Sequence, residues 1–215
     1  MKNDITELVF ILDRSGSMSG LESDTIGGFN SMISKQKKES GRAYVTTVLF
    51  DTRFERIHDR LRLEDVPPLT EKDYTPGGCT ALLDAVGDTV RHIAQIHKYA
   101  RVEDVPEKTV VVITTDGLEN ASRRYDLEQV KQLIKHEQEK YGWEFLFLGA
   151  NIDAVETAKC IGINAEHSTN YMHDDRGVFL CFDSVSNAIS EVKHRTPLTG
   201  SWKADVEKDH QKRSR

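Results

Sequence analysis

Five side chains with oxygen donors occur in three short segments of the sequence, and their types suit the binding of a small cation. They are Asp13, Ser15 and Ser17 in the first segment, Thr80 in the second and Asp116 in the third. Mg²⁺ prefers oxygen ligands in octahedral geometry and is commonly held by one or two carboxylates. None of the three segments supplies a histidine or an obvious pair of nucleophile and base.

The spacing within the segments allows these side chains to converge. Residues 13, 15 and 17 alternate by two, so a loop curling over a strand end can turn all three inward, and Gly16 permits a tight path. Each segment alone also has an ordinary explanation. Serine and threonine often cap helices, and Asp116 with Gly117 is a common turn pair. The metal-site hypothesis therefore depends on the joint placement of the segments.

The elements that must position these residues alternate between strand-like and helix-like patterns. Apolar or β-branched runs predict strands at 7–12, 43–50, 54–63, 108–115 and 143–148, with a weak last strand at 165–169. Apolar residues three and four apart predict intervening helices, with stripes at 26/29/33, 83/86/90/93, 127/130/134 and 179/182/185/189 and a short helix at 154–158. This order predicts an α/β fold with a mostly parallel sheet covered by helices on both faces, and 54–63 as a shorter edge strand.

In an open parallel sheet, ligands bind outside the carboxyl ends of the strands. Asp13 follows the first predicted strand and Asp116 follows the strand 108–115, which we expect to be central. The sequence thus predicts that both carboxylates reach one edge of the sheet from neighbouring strands.

Composition narrows the functional classes. The chain has 215 residues, a formal net charge of −6 and 38% hydrophobic residues, which favours one compact domain and argues against a nucleic-acid binder. No stretch is long and apolar enough for a membrane span or a signal peptide, so we expect a cytoplasmic protein without membrane association. Three widely spaced cysteines predict reduced thiols.

Three sequence stretches carry a resemblance to a known family. The runs VFILDRSGSMSG, GGCTALLDAVG and VVVITTDGLEN resemble the von Willebrand factor type A (VWA) domain over about residues 5–190. Their order matches the metal-ion-dependent adhesion site (MIDAS) of that family, and no position of the motif is missing. The sequence of the DRSGSMSG motif is more similar to that of bacterial intracellular members than to that of adhesion receptors.

The resemblance implies a Rossmann-like three-layer α/β/α sandwich with one antiparallel edge strand, extending over residues 1–192. It implies that Ser15, Ser17 and Thr80 coordinate Mg²⁺, Mn²⁺ or Ca²⁺ directly and that Asp13 and Asp116 do so directly or through water. It further implies a non-enzymatic module in which an Asp or Glu of a partner protein completes the coordination. Two carboxylates only neutralise a divalent cation, which leaves it attractive to such a ligand.

Two other functions stay open. Haloacid-dehalogenase-type enzymes also place a nucleophilic Asp after the first strand, but they carry a second Asp two residues later, where this chain has Ser15. The third possibility is a scaffold whose metal site is structural or idle. Asp51, Glu119 and Asn120 are candidates for the border of the site, whereas the eight histidines show no metal-ligand spacing and are expected at the surface.

The last residues, 193–215, differ from the remainder in composition. They contain seven Lys or Arg against three acidic residues, and their few apolar side chains are Leu198, Trp202 and Val206. We expect a charged, flexible C-terminal tail, with binding to an anionic partner or to the acidic body as the alternative.

Overall fold

A computed structural model describes residues 4–214, which form a six-stranded sheet between two layers of helices. The strands are β1 (Ile5–Asp13), β2 (Arg42–Phe50), β3 (Phe54–Arg62), β4 (Lys108–Thr115), β5 (Glu144–Gly149) and β6 (Ser168–Asn170). The helices are α1 (Glu22–Gln36), α2 (Leu82–Tyr99), α3 (Leu127–Tyr141), α4 (Ala154–Cys160), α5 (Asp175–Lys193) and α6 (Ala204–Arg213). Short 3₁₀ turns lie at Gly16–Met18, Leu63–Asp65, Val102–Asp104, Ala165–His167 and Gly200–Lys203.

The sheet has the strand order β3-β2-β1-β4-β5-β6, and every neighbouring pair is parallel except β2 and β3. The prediction of a mostly parallel sheet with one antiparallel edge strand is therefore confirmed. β1 and β4 lie side by side at its centre, with Leu12 in register with Thr114. This register brings the carboxyl ends of the two strands to the same edge.

Two apolar cores fill the space on the two faces of the sheet. All nine residues of β1 are buried, and alternate side chains point to opposite faces, as a strand covered on both sides requires. Leu8, Phe10 and Leu12 belong to the core under α1 and α5, whereas Val9 and Ile11 belong to the core under α2 and α3. The burial of both faces holds the carboxyl end of β1 at a fixed depth in the molecule.

Local signals define the ends of several helices. Asp126 and Gln129 form a reciprocal capping box at the start of α3, and Gly142 ends that helix in the left-handed conformation with a φ of 66°.

Among the helices of the described residues, none is long and apolar enough to cross a membrane.

The C-terminal segment (residues 193–214) is not a free tail in the structure, which departs from our expectation. A 3₁₀ turn and α6 pack against the body, with Trp202 only 3% exposed and Val206 only 1% exposed. The indole of Trp202 donates a hydrogen bond to the Glu166 carbonyl (3.1 Å), and the Lys203 ammonium donates to the carbonyls of Ala165 and Ser168 (2.7 and 2.8 Å). The few apolar residues of this segment are thus the ones that anchor it.

Candidate metal site at the carboxyl edge of the sheet

Asp13 and Asp116 meet at the carboxyl ends of the two central strands. Asp13 is the last residue of β1 and Asp116 directly follows β4, and their residues are only 1% and 3% exposed. Parallel neighbours end at the same edge, so two carboxylates far apart in sequence become adjacent. The sequence-based placement of both residues agrees with the structure.

A chain of hydrogen bonds links four of the five predicted site residues. The backbone N–H of Ser15 donates to Asp13 Oδ1 (2.7 Å), and the hydroxyls of Ser15 and Ser17 lie 3.1 Å apart. The Ser17 hydroxyl then donates to Asp116 Oδ1 (2.6 Å). The first motif therefore curls back over the strand end, as its alternation by two predicted.

Thr80 completes the group from the loop before α2. A Cβ added to Gly117 would lie 3.1 Å from the Thr80 hydroxyl oxygen and 3.7 Å from that of Ser17, so the two hydroxyls border the same glycine. Asn120 holds Thr80 in place, because its side-chain oxygen accepts from the Thr80 N–H (2.9 Å) and its N–H donates to the Thr80 carbonyl (3.0 Å). Thr80 is not the cap of α2, whose N-cap residue is Ala81.

Glycines allow the loop after β1 to contact the loop before α2. Gly78 has a φ of +71°, in the left-handed region that favours glycine, and a Cβ there would collide with the Thr52 side chain. Its carbonyl accepts from the Gly16 N–H (3.2 Å), and the Gly77 N–H donates to the Arg14 carbonyl (2.9 Å). These contacts bring Thr80 to the motif that contains Asp13.

The electrostatics of the site favour a cation. Burial raises the pKa of Asp13, while hydrogen bonds from Thr115 and Ser15 act in the opposite direction and the neighbouring Asp116 carboxylate adds to the rise. Arg14 faces away, where it pairs with Asp51 (3.1 Å) and Glu55 (3.2 Å). A divalent ion between the two buried carboxylates would offset their repulsion and their lost hydration.

One carboxylate oxygen of the site lacks a hydrogen bond. Asp116 Oδ2 is buried and accepts none among the described residues, although the His173 Nε2 atom lies 3.0 Å away. Buried carboxylate oxygens normally accept hydrogen bonds, so this one suits a cation. The described residues contain no group of three or more His, Cys, Asp or Glu that could hold a metal, so the hydroxyls of Ser15, Ser17 and Thr80 are needed to complete the donor set. The residues fit a divalent cation, and their role as its ligands stays a prediction.

The structure also adds residues that sequence reasoning missed. Thr115 donates its hydroxyl to Asp13 Oδ2 (2.6 Å), and its oxygen accepts from the Gly117 N–H (3.3 Å). His173, expected at the surface, has its Nε2 3.0 Å from Asp116 Oδ2. Thr115 lies in the recognisable T-T-D-G run, whereas no spacing in the sequence marked His173.

The other candidates have structural roles. Asp51 accepts from Arg14 and from the Arg53 N–H (2.8 Å) and has no hydrogen bond to the five site residues. Glu119 accepts from the N–H groups of Leu83 and Ser122, so it stabilises the first turn of α2 and its own loop. Asn120 positions Thr80, as described above.

Solved structures share this fold at low sequence identity. The vWF domain of the type V pili tip protein Mfa5 from Porphyromonas gingivalis is 11% identical, with 90% of this chain and 98% of that chain covered and a TM-score of 0.61. Proximal thread matrix protein 1 from the mussel byssus, with a zinc-occupied MIDAS motif, is 16% identical (87% and 44% covered, TM-score 0.54). Manganese-loaded TRAP protein of Plasmodium vivax is 15% identical (85% and 74% covered, TM-score 0.53).

The comparisons define the class of fold. The chain has the α/β fold of von Willebrand factor A domains, and it spans less than half the length of the mussel protein chains it matches. No family model and no curated protein sequence matches the chain. At these identities the likeness concerns the fold, and the chemistry of the site must be argued from its own residues.

Proposed function

We propose that this protein is a divalent-cation-dependent protein-binding module. In it, Asp13, Ser15, Ser17, Thr80 and Asp116 hold a cation that an Asp or Glu of a partner protein also contacts. The observation that carries the proposal is a buried Asp116 oxygen that accepts no hydrogen bond among the described residues, within a cluster of hydroxyls at the carboxyl edge of the sheet. Solved neighbours described as zinc-occupied or manganese-loaded add support.

The charge balance explains the choice of partner. The two carboxylates neutralise a divalent ion and the hydroxyl ligands are neutral, so a bound ion still attracts a further anionic oxygen. A module with an overall charge of −6 can in this way bind an acidic surface at one point. The oxygen donors of the motif, taken alone, suit Mg²⁺.

A non-enzymatic role is supported by how the polar groups are arranged. Asp116 lies between the Ser17 hydroxyl (2.6 Å to Oδ1) and the imidazole of His173 (3.0 Å to Oδ2). The Ser–His contact that typically activates a serine nucleophile is not formed, because the Ser17 hydroxyl contacts Asp116 and His173 contacts the other oxygen of that carboxylate. The bacterial origin and the cytoplasmic location remain predictions from the sequence.

Metal binding can be tested by thermal unfolding in Mg²⁺ or Mn²⁺ and in chelator. We expect the cation to raise the midpoint of the native chain, by the equivalent of about 2.7 kcal/mol at a hundredfold excess over Kd, and to leave Asp13→Ala and Asp116→Ala unchanged. Asp51→Ala is the matched control, because Asp51 follows a neighbouring strand yet has no hydrogen bond to the five residues. An absence of any response in the native chain would contradict the proposal.

Partner chemistry needs a second measurement. A peptide array that pairs each Asp- or Glu-containing peptide with its Asn or Gln counterpart should show binding of the acidic member only, in Mn²⁺ and not in chelator. Equal binding of the acidic peptide and its amide counterpart, or binding that persists in chelator, argues against a metal-bridged contact. Turnover of a phosphate ester that is lost in Asp13→Asn would favour an enzyme instead.

A further inference from the structure

The loop between β6 and α5 places a histidine directly on the candidate metal site. The His173 Nε2 atom lies 3.0 Å from Asp116 Oδ2, and the side chain is 23% exposed while that of Asp116 is fully buried. The two atoms are close but not aligned as a hydrogen bond, and neither has another hydrogen-bond partner among residues 4–214. Two unsatisfied donor atoms therefore face one another at the site.

Their separation matches that of two ligands on one ion. In an octahedral site with bonds of about 2.1 Å, adjacent ligand atoms are about 3.0 Å apart. The contact is also short enough for an ion pair, but the His173 and Asp116 atoms do not form the hydrogen bond that would accompany an aligned pair.

We propose that His173 is a nitrogen ligand of the cation at this site, and that it gives the site a preference for Zn²⁺ over Mg²⁺. This inference rests on the proposed metal site. Imidazole suits Zn²⁺, whereas Mg²⁺ prefers an all-oxygen set and keeps several of its water molecules. His173 thus changes the metal expected from the motif alone.

The ligand count still leaves a position for the partner. Each oxygen of Asp13 accepts one hydrogen bond, from the Ser15 N–H or from Thr115, and keeps a lone pair that could accept from a water molecule on the cation. With Asp13 in that role, the residues that would bind the cation directly are Ser15, Ser17, Thr80, Asp116 and His173, and one of six octahedral positions would remain for an acidic side chain. Because imidazole is a neutral ligand, the attraction for that side chain is kept.

The loop that carries the histidine is held on both sides. Before it, the Tyr171 N–H donates to the Gly149 carbonyl of β5 (2.9 Å). After it, the Asp174 N–H donates to the Met172 carbonyl (2.8 Å), and the Asp174 carboxylate caps α5 by accepting from the Gly177 N–H (2.9 Å). A side chain at position 177 would overlap the Met172 carbonyl, so only glycine permits this close turn. The backbone that carries the imidazole is therefore held in position.

Pulsed electron paramagnetic resonance of the Mn²⁺-loaded full chain tests the proposal directly. A bound imidazole nitrogen modulates the Mn²⁺ echo decay, and we expect this ¹⁴N modulation in the native chain and its loss in His173→Ala and His173→Gln. His210→Ala is the matched control, since His210 lines the same surface cavity as His173 and should leave the signal intact. The native spectrum is informative even if a variant does not fold.

Titrations of Zn²⁺, Mn²⁺ and Mg²⁺ give the second readout. His173→Ala should weaken Zn²⁺ binding by on the order of tenfold or more and change Mg²⁺ binding little. Mn²⁺ that binds the native chain without nitrogen modulation, or binds His173→Ala more tightly, overturns the histidine ligand and leaves the proposed function standing. Mn²⁺ binding that is absent, or unaffected by Asp116→Ala, overturns both.

Discussion

At the scale of single residues, the site depends on groups that donate hydrogen bonds to the buried carboxylates. Asp13 is buried with its charge-bearing oxygens held by the Ser15 N–H and the Thr115 hydroxyl. Hydrogen bonds of this kind orient a ligand and its water, and their loss typically costs 10–100-fold in metal affinity. Thr115 is therefore a positioning residue that the motif itself does not include.

Thr115→Val tests this role, since valine keeps the shape and removes the hydroxyl. We expect Mn²⁺ affinity to fall about tenfold. The free energy of unfolding of the metal-free chain should also fall by about 1–3 kcal/mol, because a buried oxygen of Asp13 is left unsatisfied. Isothermal titration calorimetry and urea unfolding measure the two effects.

Thr114→Val is the matched control for that variant. Thr114 is the preceding residue of β4 and is 7% exposed, and no hydrogen bond links its hydroxyl to the site. An equal loss of affinity in both variants would mean that β4 as a whole was disturbed and that Thr115 has no specific role.

At the scale of elements, the apolar patterns located the helices, but packing chose which face each buries. The stripe predicted for α5 contained Phe179 and Phe182, yet Phe179 is 55% exposed and Val178 is buried instead. Residues 178 and 179 lie about 100° apart around a helix, so both cannot face the sheet. The Phe182 ring occupies the space beside Gly28 of α1, and this close contact sets the rotation of α5.

A similar choice buries a carboxylate on α3. Glu137 is 4% exposed and lies on the same face as Val130 and Ile134. Burial raises the pKa of Glu137, with His136, His97 and Lys140 acting in the opposite direction. A raised pKa in the folded state means that the charged form opposes folding, so stability is lost as the pH rises through that pKa.

Glu137→Gln should therefore raise the free energy of unfolding at neutral pH by roughly 1 kcal/mol, the typical size of the effect of a single substitution. The gain should shrink as the pH falls through the raised pKa and vanish below the ordinary value of 4.5, where the native side chain is neutral too. Urea unfolding at a series of pH values measures it. Glu139→Gln, on an exposed position of the same helix, is the matched control, and a difference for Glu137→Gln that does not change with pH would refute the expectation.

At the scale of the whole molecule, the C-terminal segment acts as part of the body. Trp202 and Val206 belong to the core under α1 and α5, and Arg213 of α6 pairs with Asp209 (2.8 Å) and with Asp174 at the start of α5. The segment thereby contacts the turn that carries His173. Its positive charge serves these internal contacts, which matches the alternative in which it folds back on the acidic body.

Truncation distinguishes a docked segment from a tail. A chain that ends at Lys193 should lose several kcal/mol of stability, because removing Trp202 alone is expected to cost about 3–5 kcal/mol. A chain that lacks only residues 214 and 215 should be unaffected. Thermal and urea unfolding of the two chains, with Trp202→Ala beside them, provide the measurement, and equal midpoints for both truncations would show that the segment adds no stability.

Much of the site could be predicted because its residues follow strand ends. Asp13 and Asp116 lie after two buried apolar runs, and a parallel sheet brings such ends together regardless of the intervening chain. His173 could not be found in this way, because it comes from a loop whose position depends on the packing of α5 and on the Asp174 cap. Thr115 looked like one more β-branched strand residue, and only the register of β1 with β4 brings its hydroxyl to Asp13.

The sequence by itself determined the order of the six strands and of helices α1 to α5, the mostly parallel sheet and five oxygen donors at its carboxyl edge. These follow from local periodicity and chain order, which each segment carries independently of the others. The tertiary structure alone decided that His173 meets Asp116, that Phe179 faces outward and that Trp202 and Val206 anchor the C-terminal segment in the core. Such outcomes depend on the surface that each group meets, and that surface is built by residues distant along the chain.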